Sequence, residues 1–158
     1  MLKIFIASFL LFTISDIAIG KIVGEAKFHA EGEGLALDVD GAGAKVEEIS
    51  KDKYAVNLAD FKTGIELRDE HLCKALECSK YPIAHFTLEQ FSGKDGPIIG
   101  SLSLHGVKKP VKGWIAKREG SKIKVSGKLL LSDFGIKAPS YKAAQISDSV
   151  EVSVEINI

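Results

Sequence analysis

The chain lacks an excess of either charge. Its 158 residues include 21 basic and 21 acidic side chains. No net field steers it onto nucleic acid or an anionic membrane. Nor are aromatic residues interleaved with Arg or Lys in a nucleic-acid-binding pattern. Cysteine is scarce, with only Cys73 and Cys78. Their spacing matches neither a redox motif nor the tighter pairs of most zinc sites. Glycine-rich phosphate loops, dinucleotide fingerprints and HExxH are all absent. Ser132-Asp133-Phe134-Gly135 is no GxSxG elbow, because it lacks the strand–turn–helix setting. After residue 20, no apolar run approaches the ~20 residues that cross a bilayer as a helix. The sequence thus withholds most of the patterns by which enzymes, nucleic-acid binders and membrane helices identify themselves.

The longest apolar run is at the start. Lys3 precedes an apolar stretch over 4–14, and Ala18-Ile19-Gly20 is a small-x-small cleavage pattern. Residues 1–20 are expected to be a secretory signal, cleaved near Gly20. Residues 21–158 would then be one exported domain, periplasmic or secreted. Export implies an oxidising compartment. In one regular helix the two cysteines would stand roughly 8–9 Å apart, on different faces. That exceeds disulfide reach, so a bridge requires the helix to end near Glu77. Otherwise the thiols are free or pair between molecules.

The mature chain alternates with period two. Ala26, Phe28 and Ala30 oppose Lys27, His29 and Glu31, and Val56 and Leu58 oppose Asn57. Phe86 and Leu88, then Leu102 and Leu104, continue the apolar phase. So do Val111 and Ile115 (against Trp114 and Ala116), and Val125, Leu129 and Leu131. Val152 and Val154 lie in the cleanest alternation, at the C-terminal end. Asp40-Gly41 reads as a hairpin turn, and 106–110 as another. Eight or nine short strands with turns between them predict an antiparallel sandwich or barrel. The other phase carries Lys, Glu, Ser and Asn, which excludes a lipid-facing transmembrane barrel. Small residues recur at inner positions (Ala26, Ala30, Ala84, Gly100, Gly127). They either leave volume unfilled or mark bends in the sheet.

The rhythm breaks over 63–86, TGIELRDEHLCKALECSKYPIAHF. A short helix, about 69–78, is expected there. Asp69 would cap it, Leu72 and Leu76 would form its apolar face, and Pro82 would prevent extension. Arg68, Asp69, Glu70 and His71 are consecutive, so on a helix they point about 100° apart. They cannot form an acid–base centre without partners elsewhere.

These blocks, TGIELRDEHL, KYPIAHF, GSLSLHGVKKPV, LSDFGI and ISDSVEVSVEI, come in an order and spacing that resemble the YceI-like family. The resemblance spans roughly residues 24–158. That family comprises exported, lipocalin-like proteins associated with polyisoprenoid binding. The resemblance implies an all-β, eight-stranded antiparallel barrel, with the helix beside one mouth. It also implies an apolar pore for a polyprenyl or quinone-like lipid. On this reading Phe28, Val56, Leu58, Phe86, Leu88, Leu102, Leu104, Ile115, Val125, Leu129, Leu131, Phe134, Val152 and Val154 line the pore. Arg68, His71 and His105 are the mouth candidates. No cofactor beyond a bound isoprenoid or quinone, no metal and no nucleic acid is expected. The chain would be a monomer or homodimer and not an integral membrane protein. One alternative is an enzyme on a hydrophobic substrate, using His71 or His105 with Asp69 or Asp133. That requires those groups to converge on one cavity. Another is a filled-core barrel acting as a stress-response interaction module.

Overall fold

The computed structural model describes residues 20–34, 36–141 and 143–158. The expected leader therefore lies outside the described residues, except for Gly20. The strands follow the alternation: β1 (Lys21–Gly34), β2 (Val39–Ser50), β3 (Lys53–Asn57), then helix α1 (Glu66–Ala75). Next come β4 (Ile83–Gln90), β5 (Gly96–Pro97), β6 (Ile99–Leu104), β7 (Val107–Pro110) and β8 (Ile115–Glu119). The chain finishes with β9 (Lys122–Leu130), β10 (Ser140–Tyr141) and β11 (Ala144–Asn157).

These strands form one antiparallel sheet that closes on itself. Its eleven strands include β10, which lies off the main path against β11. β5 and β6 are a single stave broken only at Ile98, and β7 and β8 form its hairpin partner. Across the break, the Ile98 N–H donates to the Trp114 carbonyl at 3.1 Å, and the Val111 N–H to that of Gly100 at 3.0 Å. β6 pairs with β4 and β8 with β9, so the hairpin joins the two halves of the ring. Leaving out β10 and counting each interrupted stave once gives eight staves, enough for a barrel whose interior can hold one ligand.

Several local expectations change. Asp40-Gly41 is not a turn. β2 runs through it, because Asp40 accepts a 2.7 Å hydrogen bond from His29 Nδ1 on β1 while Gly41 sits beneath the Phe28 ring. The turn expected at 106–110 is instead the His105-Gly106 pair, with both φ positive (54° and 74°). That is a two-residue hairpin of the kind matching strand twist. The helix also starts earlier than expected, at Glu66. Its first turn closes when the Arg68 and Asp69 N–H groups donate to the Ile65 carbonyl at 3.0 Å. Asp69 is therefore inside the helix and not its N-cap.

In the hairpin the phase slips by one residue between Pro110 and Ile115, around Gly113 (φ 70°). Trp114 and Ala116 consequently face inward and are buried (6% and 1% exposed), while Ile115 faces out at 48%. An unbroken alternation would carry through this bulge and place Ile115 inside.

The inner glycines do more than leave volume or mark bends. A Cβ on Gly41 would lie 2.0 Å from the Phe28 ring, one on Gly100 2.6 Å from Phe86, and one on Gly127 2.1 Å from Trp114. Each glycine lets an aromatic ring from the adjacent strand lie flat against the wall. The rings thus cover the backbone at these glycines. Phe86 and Trp114 then stack at 5.8 Å with their planes 4° apart. The Trp114 indole N–H donates to the Lys128 carbonyl at 3.1 Å, which removes the one polar group the ring would bring inside.

Candidate ligand cavity

Flattened rings and small side chains leave the barrel hollow. The cavity has a volume of about 430 Å³. Its wall is drawn from every main stave and is almost wholly aliphatic or aromatic. Ile146, Val150, Val152, Val154 and Ile156 of β11, with Ile158 just beyond it, face the cavity. At ~3.3 Å per residue, the span from Ile146 to Ile158 is about 40 Å of strand. The apolar lining thus extends along most of β11. Ala26, Ala30 and Ala84 lie on its wall, so the small inner residues do give room.

The expected lining residues all face this cavity except two. Ile115 points outward for the reason given above. Phe134 is buried (4% exposed) in the 3₁₀ turn Leu131–Phe134, but packs into the core and not against the void. Period two could not reveal Phe61 and Phe91, which line the cavity from connecting segments. Trp114 was concealed by the bulge. Tyr54 brings a phenol to the lining; burial pushes its pKa up, with the Glu48 and Asp52 carboxylates adding to the effect.

One mouth is covered by α1, whose Arg68, His71, Leu72 and Ala75, with Leu76 just beyond, face the cavity. Yet no residue of α1 is buried. The helix is held at its ends. At the start, Thr63 donates from its N–H and its hydroxyl to Asp69 Oδ1, at 2.8 and 2.6 Å. Those two bonds, the hydroxyl first, hold the Asp69 carboxyl below the usual range. At the finish, Glu77 adopts a left-handed φ of 50°, and the Cys78 N–H returns to the Cys73 carbonyl at 2.9 Å. This early stop brings the cysteine Cα atoms to 5.0 Å, and a disulfide joins them.

His105 lies beyond the cavity. Its Nδ1 donates to the Phe134 carbonyl at 3.0 Å, its Nε2 meets the Glu77 carboxylate, and its ring lies 4.7 Å from that of Tyr81. It clips the segment after α1 to the 3₁₀ turn. Among the mouth candidates, Arg68 and His71 share the cavity edge and His105 does not. Asp69 and Asp133 also do not line it. Among the described residues, no three His, Cys, Asp or Glu side chains are close enough to hold a metal ion. No helix among them is long and apolar enough to cross a membrane.

A family model for the YceI-like domain matches residues 7–158. Protein YceI of Escherichia coli O17:K52:H18 is 34% identical over 140 residues, covering 77% of this chain and 72% of that one. A UPF0312 protein of Pseudomonas putida F1 is 30% identical over 124 residues, covering 68% and 62%. Among solved structures, a polyisoprenoid binding domain from Saccharophagus degradans superposes with a TM-score of 0.62 at 14% identity, covering 87% of this chain and 95% of that one. The Campylobacter jejuni YCEI protein gives 0.55 at 18% identity, covering 99% and 98%. The likeness to these two structures is one of fold.

Proposed function

The chain belongs to the YceI-like domain family, and on that premise we propose that it is a carrier for an isoprenoid-type lipid. The observation that carries this reading is the lumen's shape and chemistry. It is apolar along most of β11 and closed around its girth, with Arg68 and His71 at one end. Such a space suits a hydrocarbon chain held by non-directional burial, with a polar head at the mouth. The name of the Saccharophagus domain supports a polyisoprenoid over a fatty acyl chain. The lipid would be a polyprenyl or a quinone-like molecule, and the protein would work outside the cytoplasm after losing residues 1–20. Binding is favoured over turnover, because of the four groups an acid–base centre would draw on, only His71 faces the cavity.

The test is mass spectrometry of the organic extract from natively purified protein. An isoprenoid at near-stoichiometric level is expected. It should be lost in Ala84→Phe, which blocks the lumen without adding charge. Lipid-stripped and reloaded protein should differ in melting temperature, since filling the void restores apolar contacts. A clean extract together with identical melting curves would overturn the carrier.

A further inference from the structure

The outside of the same wall carries a second cavity, of about 310 Å³. It lies over β3, β4, β6 and β7, where the register brings polar outward residues together. Thr87 pairs with Ser101 and Lys53, and Ser103 with His85 and Lys108. Lys53, His85, Thr87, Ser101, Ser103 and Lys108 all line the groove, and none of its lining residues carries a carboxylate. Ser101 is the decisive residue. It is 6% exposed, the one buried polar side chain among the described residues, and its Oγ has no hydrogen-bond partner among them. A buried hydroxyl left unpaired is costly and unusual in a folded protein.

Ile49, Tyr54 and Phe86 complete the lining, but its polar groups are all able to donate, and with an unpaired hydroxyl at the floor they suit a ligand rich in acceptors. Two ammonium groups, an imidazole and three hydroxyls can all donate. A tetrahedral oxyanion accepts through every oxygen and satisfies them together. The groove is also roomier than one such ion, which leaves space for an ester substituent. We infer that this outer groove binds a phosphate ester, with Lys53 and Lys108 flanking the phosphate and Ser101 donating from beneath. Tyr54 and Phe86 line both cavities, so the groove backs onto the lumen across the barrel wall, but the proposal does not depend on the lipid reading.

The test titrates inorganic phosphate into the intact protein, followed by amide chemical shifts, with chloride at equal ionic strength as control. Saturable shifts at Ser101, Ser103 and His85 are expected. Lys108→Glu should weaken them about tenfold or more, as loss of a charge-assisted contact predicts. Ser101→Ala separates a ligand donor from a structural hydroxyl. In phosphate-free buffer it should melt no lower than the parent, and phosphate should raise its melting temperature less. Phosphatidylcholine vesicles with and without phosphatidic acid distinguish the source. Retention only by the phosphatidic acid vesicles indicates a lipid headgroup; phosphate binding without vesicle retention indicates a soluble ester. Shifts no larger than those with chloride, an unaltered titration in Lys108→Glu, or a lower melting temperature for Ser101→Ala would each overturn the proposal. Lipid loading should be unchanged in Lys108→Glu, so the two proposals fail independently.

Discussion

The barrel wall and the helix over its mouth are held by different means. The wall is interlocked: each stave is paired on both sides, and aromatic rings are seated on glycines of the next strand. The helix buries no residue and is pinned at either end, by Asp69 to Thr63 and by the Cys73–Cys78 bridge. Packing couples many residues, so damage to the wall is felt throughout. Point ties couple few, so damage to them stays local. The carrier proposed above would need both properties: a shape that persists and an entrance that opens.

The largest expected effect comes from the wall. Gly127→Val drives a side chain into the Trp114 indole and breaks its bond to Lys128. It should cost about 3 kcal/mol of unfolding free energy in urea, at the upper end of overpacking effects. Next is removal of the bridge. A double Cys73→Ser, Cys78→Ser variant loses a short loop closure worth roughly 2 kcal/mol. Hydrogen exchange should then quicken over 66–76 while β1 and β11 keep their protection. Uniform loss across the barrel would break the contrast between wall and helix.

Smaller effects follow from pH. The Asp69 carboxyl titrates below its ordinary value when folded, chiefly through the Thr63 hydroxyl. Its tie is complete above the unfolded pKa and is lost as pH falls through the lowered folded one. Acid should loosen the start of α1 first, as seen by exchange at 66–69, and Asp69→Asn should abolish that dependence. The smallest effect has the opposite sign. The His29 pKa is raised, first by its hydrogen bond to Asp40. Its contribution is whole below the ordinary histidine pKa and fades as pH rises through the raised value. Asp40→Asn should flatten this part of the melting-temperature profile.

Much of the wall is legible in the amino-acid sequence, because a one-sided strand must alternate. Phe28, Phe86, Leu102 and Val152 follow from period two alone. Alternation misleads where a local event resets the count. The bulge around Gly113 reverses the phase and exchanges Ile115 for Trp114. Asp40-Gly41 has turn composition, yet a histidine and a ring on the neighbouring strand hold it extended. Neither partner is close in sequence. The disulfide depends on where α1 stops, and that is set by the left-handed Glu77, a residue with no intrinsic preference for that conformation. His105 carries a family block but serves a hairpin turn and a clip to Glu77, since a mouth role depends on a geometry the residue itself does not encode.

Trp114 has a practical consequence. It is the only tryptophan in the chain, and it stands on the lumen wall with its N–H already engaged. The protein therefore carries a built-in optical probe at the place where cargo would sit. Its fluorescence should be blue-shifted in the folded state, and filling of the lumen should change its intensity without any label. Titrating stripped protein with a polyprenyl alcohol would then give occupancy directly from emission, while Trp114→Phe, which removes the indole, would serve as the dark control.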